Sequence, residues 1–176
     1  MESQHLKIAM NIAKEAGEIL LRYFGKNKDK HISLKGLRNL VTHADLESEK
    51  WIVGRLNEHF PEHGILGEEN TNTMGTSGYR WYIDPLDGTT NFAHDHPFFS
   101  VSMGMSYKEK MEVGVVYAPY LDELFYAQRG QGAFFVHQGQ TSRLLVSEVG
   151  DLQNSLLATG FAYHALPIMK AIISRT

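Results

Sequence analysis

The sequence predicts an α+β fold, on three observations: two helical apolar patterns come first, a run of strand-like segments separated by turns follows, and acidic residues gather where one strand breaks. With 176 residues, 43% of them hydrophobic and 21% charged, the chain can bury a core of domain size.

The first element runs from Leu6 to Phe24. Leu6, Ala9, Met10, Ala13, Ala16, Leu20 and Phe24 recur at helical spacing with Lys14, Glu15, Glu18 and Arg22 between them, and Gly25 supplies the stop. A polar stretch leads to Thr42-His43-Ala44-Asp45, whose pattern reads as a capping box. Leu46, Val53, Leu56 and Phe60 then mark a second helix that ends at Pro61, so two helices are expected before any strand.

His63-Gly64-Ile65-Leu66-Gly67 reads as a short buried strand running into Glu68-Glu69, and a Thr/Asn/Gly/Ser-rich loop to Gly78 is a candidate flap. Tyr79 to Ile83 is aromatic and β-branched, and Pro85 and Gly88 stop it within Asp84-Pro85-Leu86-Asp87-Gly88-Thr89-Thr90-Asn91-Phe92. Beyond Pro97, the segments 98–107, 113–117, 123–128 and 133–137 are spaced as an antiparallel meander. Alternation places Phe98-Phe99, Met103 and Met105 in the core. Residues 170–176 look like the middle of a helix without a capping signal, so 1–176 is expected to be the N-terminal part of a longer unit.

Composition narrows the function. A net charge of -3 without a Lys/Arg stripe leaves no electrostatic footprint for nucleic acid. No uncharged apolar stretch is long enough to span a bilayer, so no membrane role is expected. The absence of cysteine excludes a disulfide framework and a thiol nucleophile and suits a reducing compartment, which makes the cytoplasm the default expectation.

The chemistry should sit at the strand end. Asp84 and Asp87 flank a Pro-containing turn that can bring two carboxylates together and let the Leu86 carbonyl join them. Hard oxygen donors of this kind suit Mg²⁺, and crowded carboxylates repel one another unless a cation neutralises them. Gly88 and Thr89 follow, and their amides would face an anion held over the metal if a helix starts there. The same residues also make an ordinary turn, with Asp87 as an N-cap and Gly88 chosen for its backbone freedom. An EF-hand is excluded, because it wants acidic residues at alternate positions without Pro-Leu between them. His94 and His96 lack a third partner for zinc and read as rim or surface residues.

Taken together, Gly67-Glu68-Glu69, Trp81-Tyr82-Ile83-Asp84-Pro85-Leu86-Asp87-Gly88-Thr89-Thr90-Asn91-Phe92 and Pro97-Phe98 resemble the signature of the inositol monophosphatase family. Leu40-Val41-Thr42 with Asp45 resembles the start of that family's second helix, and Thr159-Gly160-Phe161 a later strand-to-helix turn. The resemblance implies a layered α/β/α/β/α sugar-phosphatase fold, of which this is the N-terminal portion. It further implies that Glu68, Asp84 and the Leu86 carbonyl bind one Mg²⁺, that Asp84 and Asp87 share a second, and that the Gly88 and Thr89 amides, beside Asp87, receive a phosphate. Thr89 and Asp45 would orient the attacking water, Glu68 would hold it through the metal, and no phosphoenzyme would form. An aspartyl-phosphate mechanism through Asp87 ranks last, because position 89 is Thr where its signature wants Asp. A small phosphorylated metabolite and a homodimer are the implied partners. One departure stands out: the family's remaining ligand is an Asp in a Trp-Asp-x-Ala-Ala-Gly segment, and neither Trp51 nor Trp81 is followed by Asp. That gap leaves open a non-catalytic binding or regulatory module on the same scaffold.

Overall fold

The computed structural model describes residues 2–25, 33–35, 39–41 and 43–158. Thr42, residues 159–161 and residues 170–176 lie outside the described residues.

Helix α1 spans Gln4–Tyr23, with the Ser3 side chain accepting from the Leu6 amide at its start. Of the apolar stripe predicted there, Leu6, Ala9, Ala13, Ala16 and Leu20 are buried, Met10 and Phe24 are half-buried against the core, and Ile12, Gly17 and Ile19 widen the stripe. Strands β1 (Ser33–Lys35) and β2 (Asn39–Val41) then pair antiparallel, with Leu34 opposite Leu40. This ribbon corrects the expectation that two helices precede any strand; three-residue strands in a polar stretch carry no alternation to read. Helix α2 spans His43–His59 and buries Ala44, Asp45, Ser48, Glu49, Ile52 and Leu56. Its inward face is therefore half polar, and Leu46 points out to solvent.

Eight strands form one sheet in the order β10-β9-β8-β7-β6-β5-β3-β4. They are β3 (Gly64–Gly67), β4 (Asn72–Thr73), β5 (Tyr79–Asp87), β6 (Ser100–Tyr107), β7 (Lys110–Ala118), β8 (Glu123–Gln128), β9 (Gly132–His137) and β10 (Gln140–Leu144), with the short helix α3 (Thr89–Ala93) between β5 and β6. From β5 to β10 every neighbour is antiparallel, as the meander reading expects. The pair β3–β5 is parallel. Strand β5 runs on to Asp87 rather than stopping at Ile83, because a bulge between Asp84 and Asp87 absorbs Pro85, which has no N–H to give a ladder.

Helices α1 and α2 cover one face of the sheet, and the residues alternating toward them make the core: Trp81 and Ile83 on β5, Val101, Met103 and Met105 on β6, Val113, Val115 and Tyr117 on β7, Leu124 and Tyr126 on β8. Each such large side chain contributes roughly 1.5–3 kcal/mol by leaving water. Phe99 joins them, but Phe98 is 67% exposed. Adjacent residues of an extended segment point to opposite sides, so only one of that pair can face the core.

On the other face the register lines up Tyr82, Gly104, Gly114, Ala127, Ala133 and Leu144 across six strands. Gly104, Gly114, Ala127 and Ala133 are small, and with Tyr82 and Leu144 they line a shallow cavity of about 650 Å³ whose upper end reaches Glu68 and Asp84. No helix among the described residues is long and apolar enough to cross a membrane.

Candidate active site

Parallel pairing builds the site. Gly67 of β3 stands opposite Ile83 of β5, and the Glu68 amide donates to the Ile83 carbonyl at 3.1 Å. Glu68, just past the end of β3, therefore meets Asp84, at the start of the bulge near the carboxyl end of β5. Of the charged neighbours of Asp84, the Glu68 carboxyl acts on it most strongly, both through its charge and as a hydrogen-bonding partner. Burial first, then Glu68 and Asp87, push Asp84 upward from the usual carboxylate range, against a smaller opposing effect of the Leu86 amide, which donates to Asp84 Oδ1 at 3.1 Å.

Asp45 approaches from the first turn of α2 and is 2% exposed. Burial, followed by the surrounding Glu69, Asp84, Glu68 and Glu49, pushes its carboxyl up to about 8. Four of the predicted residues, Asp45, Glu68, Asp84 and Asp87, thus share one electrostatic neighbourhood, although they come from α2, from the residue after β3 and from both sides of the β5 bulge.

The turn beyond the bulge holds the rest. Gly88 adopts φ 88°, a left-handed conformation, and a Cβ there would stand 3.0 Å from the Phe98 carbonyl, so glycine is required twice over. Thr89 opens α3 and its Oγ1 donates to the Leu86 carbonyl at 3.0 Å. The hydroxyl oxygen keeps acceptor capacity, and the carbonyl, with two lone pairs, keeps a second site. Behind α3, Phe92 is fully buried against Phe24 and Phe99. His94 and His96 are exposed, as expected of rim residues. A second pocket of about 270 Å³ opens beside Asp87 and Gly88 and is flanked by Asn91 and Phe98.

Hard oxygen donors and mutually repelling carboxylates suit a divalent cation, which would offset the repulsion among them. Among the described residues, no three Asp, Glu or His side chains converge on a common ion position as they stand. Mg²⁺ keeps several waters and takes few protein ligands, so an open set of this kind matches its chemistry better than that of a closed cage.

Two residues at the site escape the sequence reading. Glu49, 4% exposed, accepts from the amides of Glu69, Asn70 and Thr71, and Ser48 Oγ donates to the Pro85 carbonyl at 3.2 Å. Their spacing from Asp45, three and four residues along a helix, places all three on one face and was the available signal. The loop after Glu69 is also tied down where a flap was expected, since Gly67 N donates to Thr71 O at 2.8 Å and β4 pairs back onto β3.

The model of the inositol monophosphatase family matches residues 1–172. Inositol monophosphatase 3 of Solanum lycopersicum is 43% identical over 160 residues, covering 89% of this chain and 58% of that protein. Nus factor SuhB of Escherichia coli (strain K12) is 40% identical over 161 residues, covering 91% and 59%. Among solved structures, the inositol monophosphatase from Anabaena (Nostoc) sp. PCC 7120 superposes with a TM-score of 0.74 at 38% identity, over 90% of this chain and 56% of that one. Mycobacterium tuberculosis SuhB gives 0.76 at 26% identity, over 97% and 62%. The chain therefore spans about three fifths of the length of the curated relatives it matches. The match over nearly every residue, together with carboxylates gathered at adjoining strand ends in the same fold, makes this chain a member of the inositol monophosphatase family.

Proposed function

We propose that this chain is the N-terminal portion of a Mg²⁺-dependent phosphomonoesterase that hydrolyses inositol monophosphate or a related sugar phosphate. The observation that carries the reading is the meeting of Glu68 with Asp84 at parallel strand ends, with Asp45 and Asp87 around them and the Gly88-Thr89 turn alongside. Glu68, Asp84 and the Leu86 carbonyl are the donors for one ion, and Asp84 and Asp87 for a second. Mg²⁺ bound there would neutralise the carboxylates and make a bound water more acidic.

The chain's own residues supply the rest. Thr89 has its hydroxyl proton committed to the Leu86 carbonyl, so its oxygen is oriented to accept from a water. Asp45, buried beside the cluster, would orient that water together with Thr89. Gly88 and Thr89 offer backbone amides to a phosphate, beside Asp87. A small phosphorylated metabolite as substrate, a homodimeric assembly and a cytoplasmic location belong to the same reading.

The test is phosphate release from a panel of phosphomonoesters, with Mg²⁺ and with EDTA, by this chain beside one extended by a family C-terminal segment that carries the Trp-Asp ligand. Mg²⁺-dependent release that is lost with EDTA and with Asp87→Asn is expected; turnover unaffected by EDTA overturns it. A second reading, a non-catalytic regulatory module, is favoured by relatives named Nus factor. Calorimetry showing neither Mg²⁺ nor phosphate binding at the carboxylates would put that reading first.

A further inference from the structure

One face of α2 touches both acidic segments. Of the four buried polar or charged side chains among the described residues, Asp45, Ser48 and Glu49 lie on this face. Glu49 Oε1 accepts from Asn70 N at 2.9 Å, Thr71 N at 3.0 Å and Thr71 Oγ1 at 2.9 Å, while Oε2 accepts from Glu69 N at 2.9 Å. A buried carboxylate with four donors is fully engaged, and every donor comes from the turn that follows Glu68. Gly67, on the other side of Glu68, is pressed against the same carboxylate: a Cβ at 67 would stand 2.5 Å from Glu49 Oε2. One helical step earlier, Ser48 Oγ holds the Pro85 carbonyl, inside the bulge that separates Asp84 from Asp87.

We propose that Glu49, seconded by Ser48, is a positioning residue that sets the distance between the Glu68 segment and the Asp84–Asp87 segment, so that the two present their carboxylates to the same ion. The Glu69–Thr71 backbone after Glu68 is bonded to Glu49, Gly67 before it packs against the same carboxylate, and the Pro85 carbonyl in the bulge is bonded to Ser48. Because consecutive residues of a rigid helix make the two attachments, neither segment moves without the other. A contact that merely stabilised the loop would leave ion affinity unchanged. This inference rests on the ion-binding reading proposed above.

Its test uses the 176-residue chain, with Mg²⁺ titrated by calorimetry and backbone amide exchange followed by NMR, in Glu49→Gln, Glu49→Ala and Ser48→Ala. In Glu49→Gln the amide oxygen can keep the three Oε1 bonds, but its NH₂ faces the Glu69 amide, donor against donor. Mg²⁺ affinity should fall about 10- to 100-fold, as for other residues that orient ligands without touching the ion. Amide exchange at Glu69, Asn70 and Thr71 should rise about tenfold while that of α1 holds. Unchanged affinity together with unchanged exchange in a folded Glu49→Gln overturns the proposal, as does faster exchange without loss of affinity. Should the unsubstituted chain bind no Mg²⁺, the ion-binding reading fails, and the clamp is judged on structure alone. Faster exchange at 69–71 with shifted carboxyl resonances of Glu68 and Asp84 then upholds the positioning of the two segments by Glu49, though not its service to an ion, and their constancy overturns it. If Glu49→Ala does not fold, Glu49→Gln and Ser48→Ala decide the matter.

Discussion

Trp81 Nε1 donates to His63 Nδ1 at 3.1 Å, at the base of a stack in which the His63 ring lies between Phe60 and Tyr79. The accepting nitrogen must be unprotonated, and burial, reinforced by the neighbouring His5, lowers His63 from 6.5 to about 4. The unfolded chain therefore binds more protons between those values. This contribution to stability is complete above pH 6.5 and is lost as pH falls toward about 4. Thermal unfolding as a function of pH should show an acid-side decline that Glu or Asp titration alone does not give. In His63→Gln, which can still accept from Trp81, the decline over that window should flatten.

The crowded carboxylates give the opposite slope. Asp45 is raised from 3.8 to about 8, so the ion-free folded chain binds more protons than the unfolded one across that window. Its stabilising share is whole below pH 3.8 and disappears as pH rises through about 8. If the cluster binds Mg²⁺, the ion should raise the unfolding temperature more at the alkaline end of the window than at the acid end. At about a hundred times its Kd, Mg²⁺ should add about 2.7 kcal/mol. Differential scanning calorimetry with Mg²⁺ against EDTA checks both the sign and the trend.

Asp84→Asn should act in two directions. Without Mg²⁺ it removes a charge from the cluster and raises stability; with Mg²⁺ it removes a donor, and ion binding should weaken by about tenfold or more. Urea unfolding under the two conditions separates these effects, and a variant destabilised in both would contradict the electrostatic account of the site.

Gly88→Ala should cost about 1–3 kcal/mol, since alanine must take a left-handed conformation and its methyl group meets the Phe98 carbonyl. Phe92→Ala should cost about 3–5 kcal/mol by emptying the seat of α3 against Phe24 and Phe99. Both are read from denaturant midpoints, and Gly88→Ala should in addition weaken phosphate binding, which isothermal titration with inorganic phosphate would detect.

The parts of this fold that could be read in the sequence are those where apolar residues repeat. Ala9, Ala13, Ala16 and Leu20 define α1, and the alternation of Met103 and Met105 with small residues defines β6, because burial there follows a fixed period. The two-residue pairing of β4 and the β1–β2 ribbon have too few residues to show any period. Helix α2 was placed correctly but its inward face was only partly legible: Ser48 and Glu49 look like solvent-facing residues until their partners, the Pro85 carbonyl and the Glu69–Thr71 amides, arrive from distant parts of the chain. The acidic residues of the site were legible as a motif. Their meeting was not, since it depends on the parallel register of β3 with β5, and no local signal encodes a register.

That register also fixes an order of assembly. Strands β6 to β10 join each to the next by short turns, so they can zip together one hairpin at a time, and local pairings of this kind form fast. The Glu68–Asp84 meeting has no such shortcut: it needs a parallel pair closed across the excursion through β4, and α2 brought back onto the sheet. The β6–β10 hairpins are therefore expected to close before the carboxylates meet, which pulse-labelled amide exchange during refolding would show as earlier protection in β6–β10 than in β3.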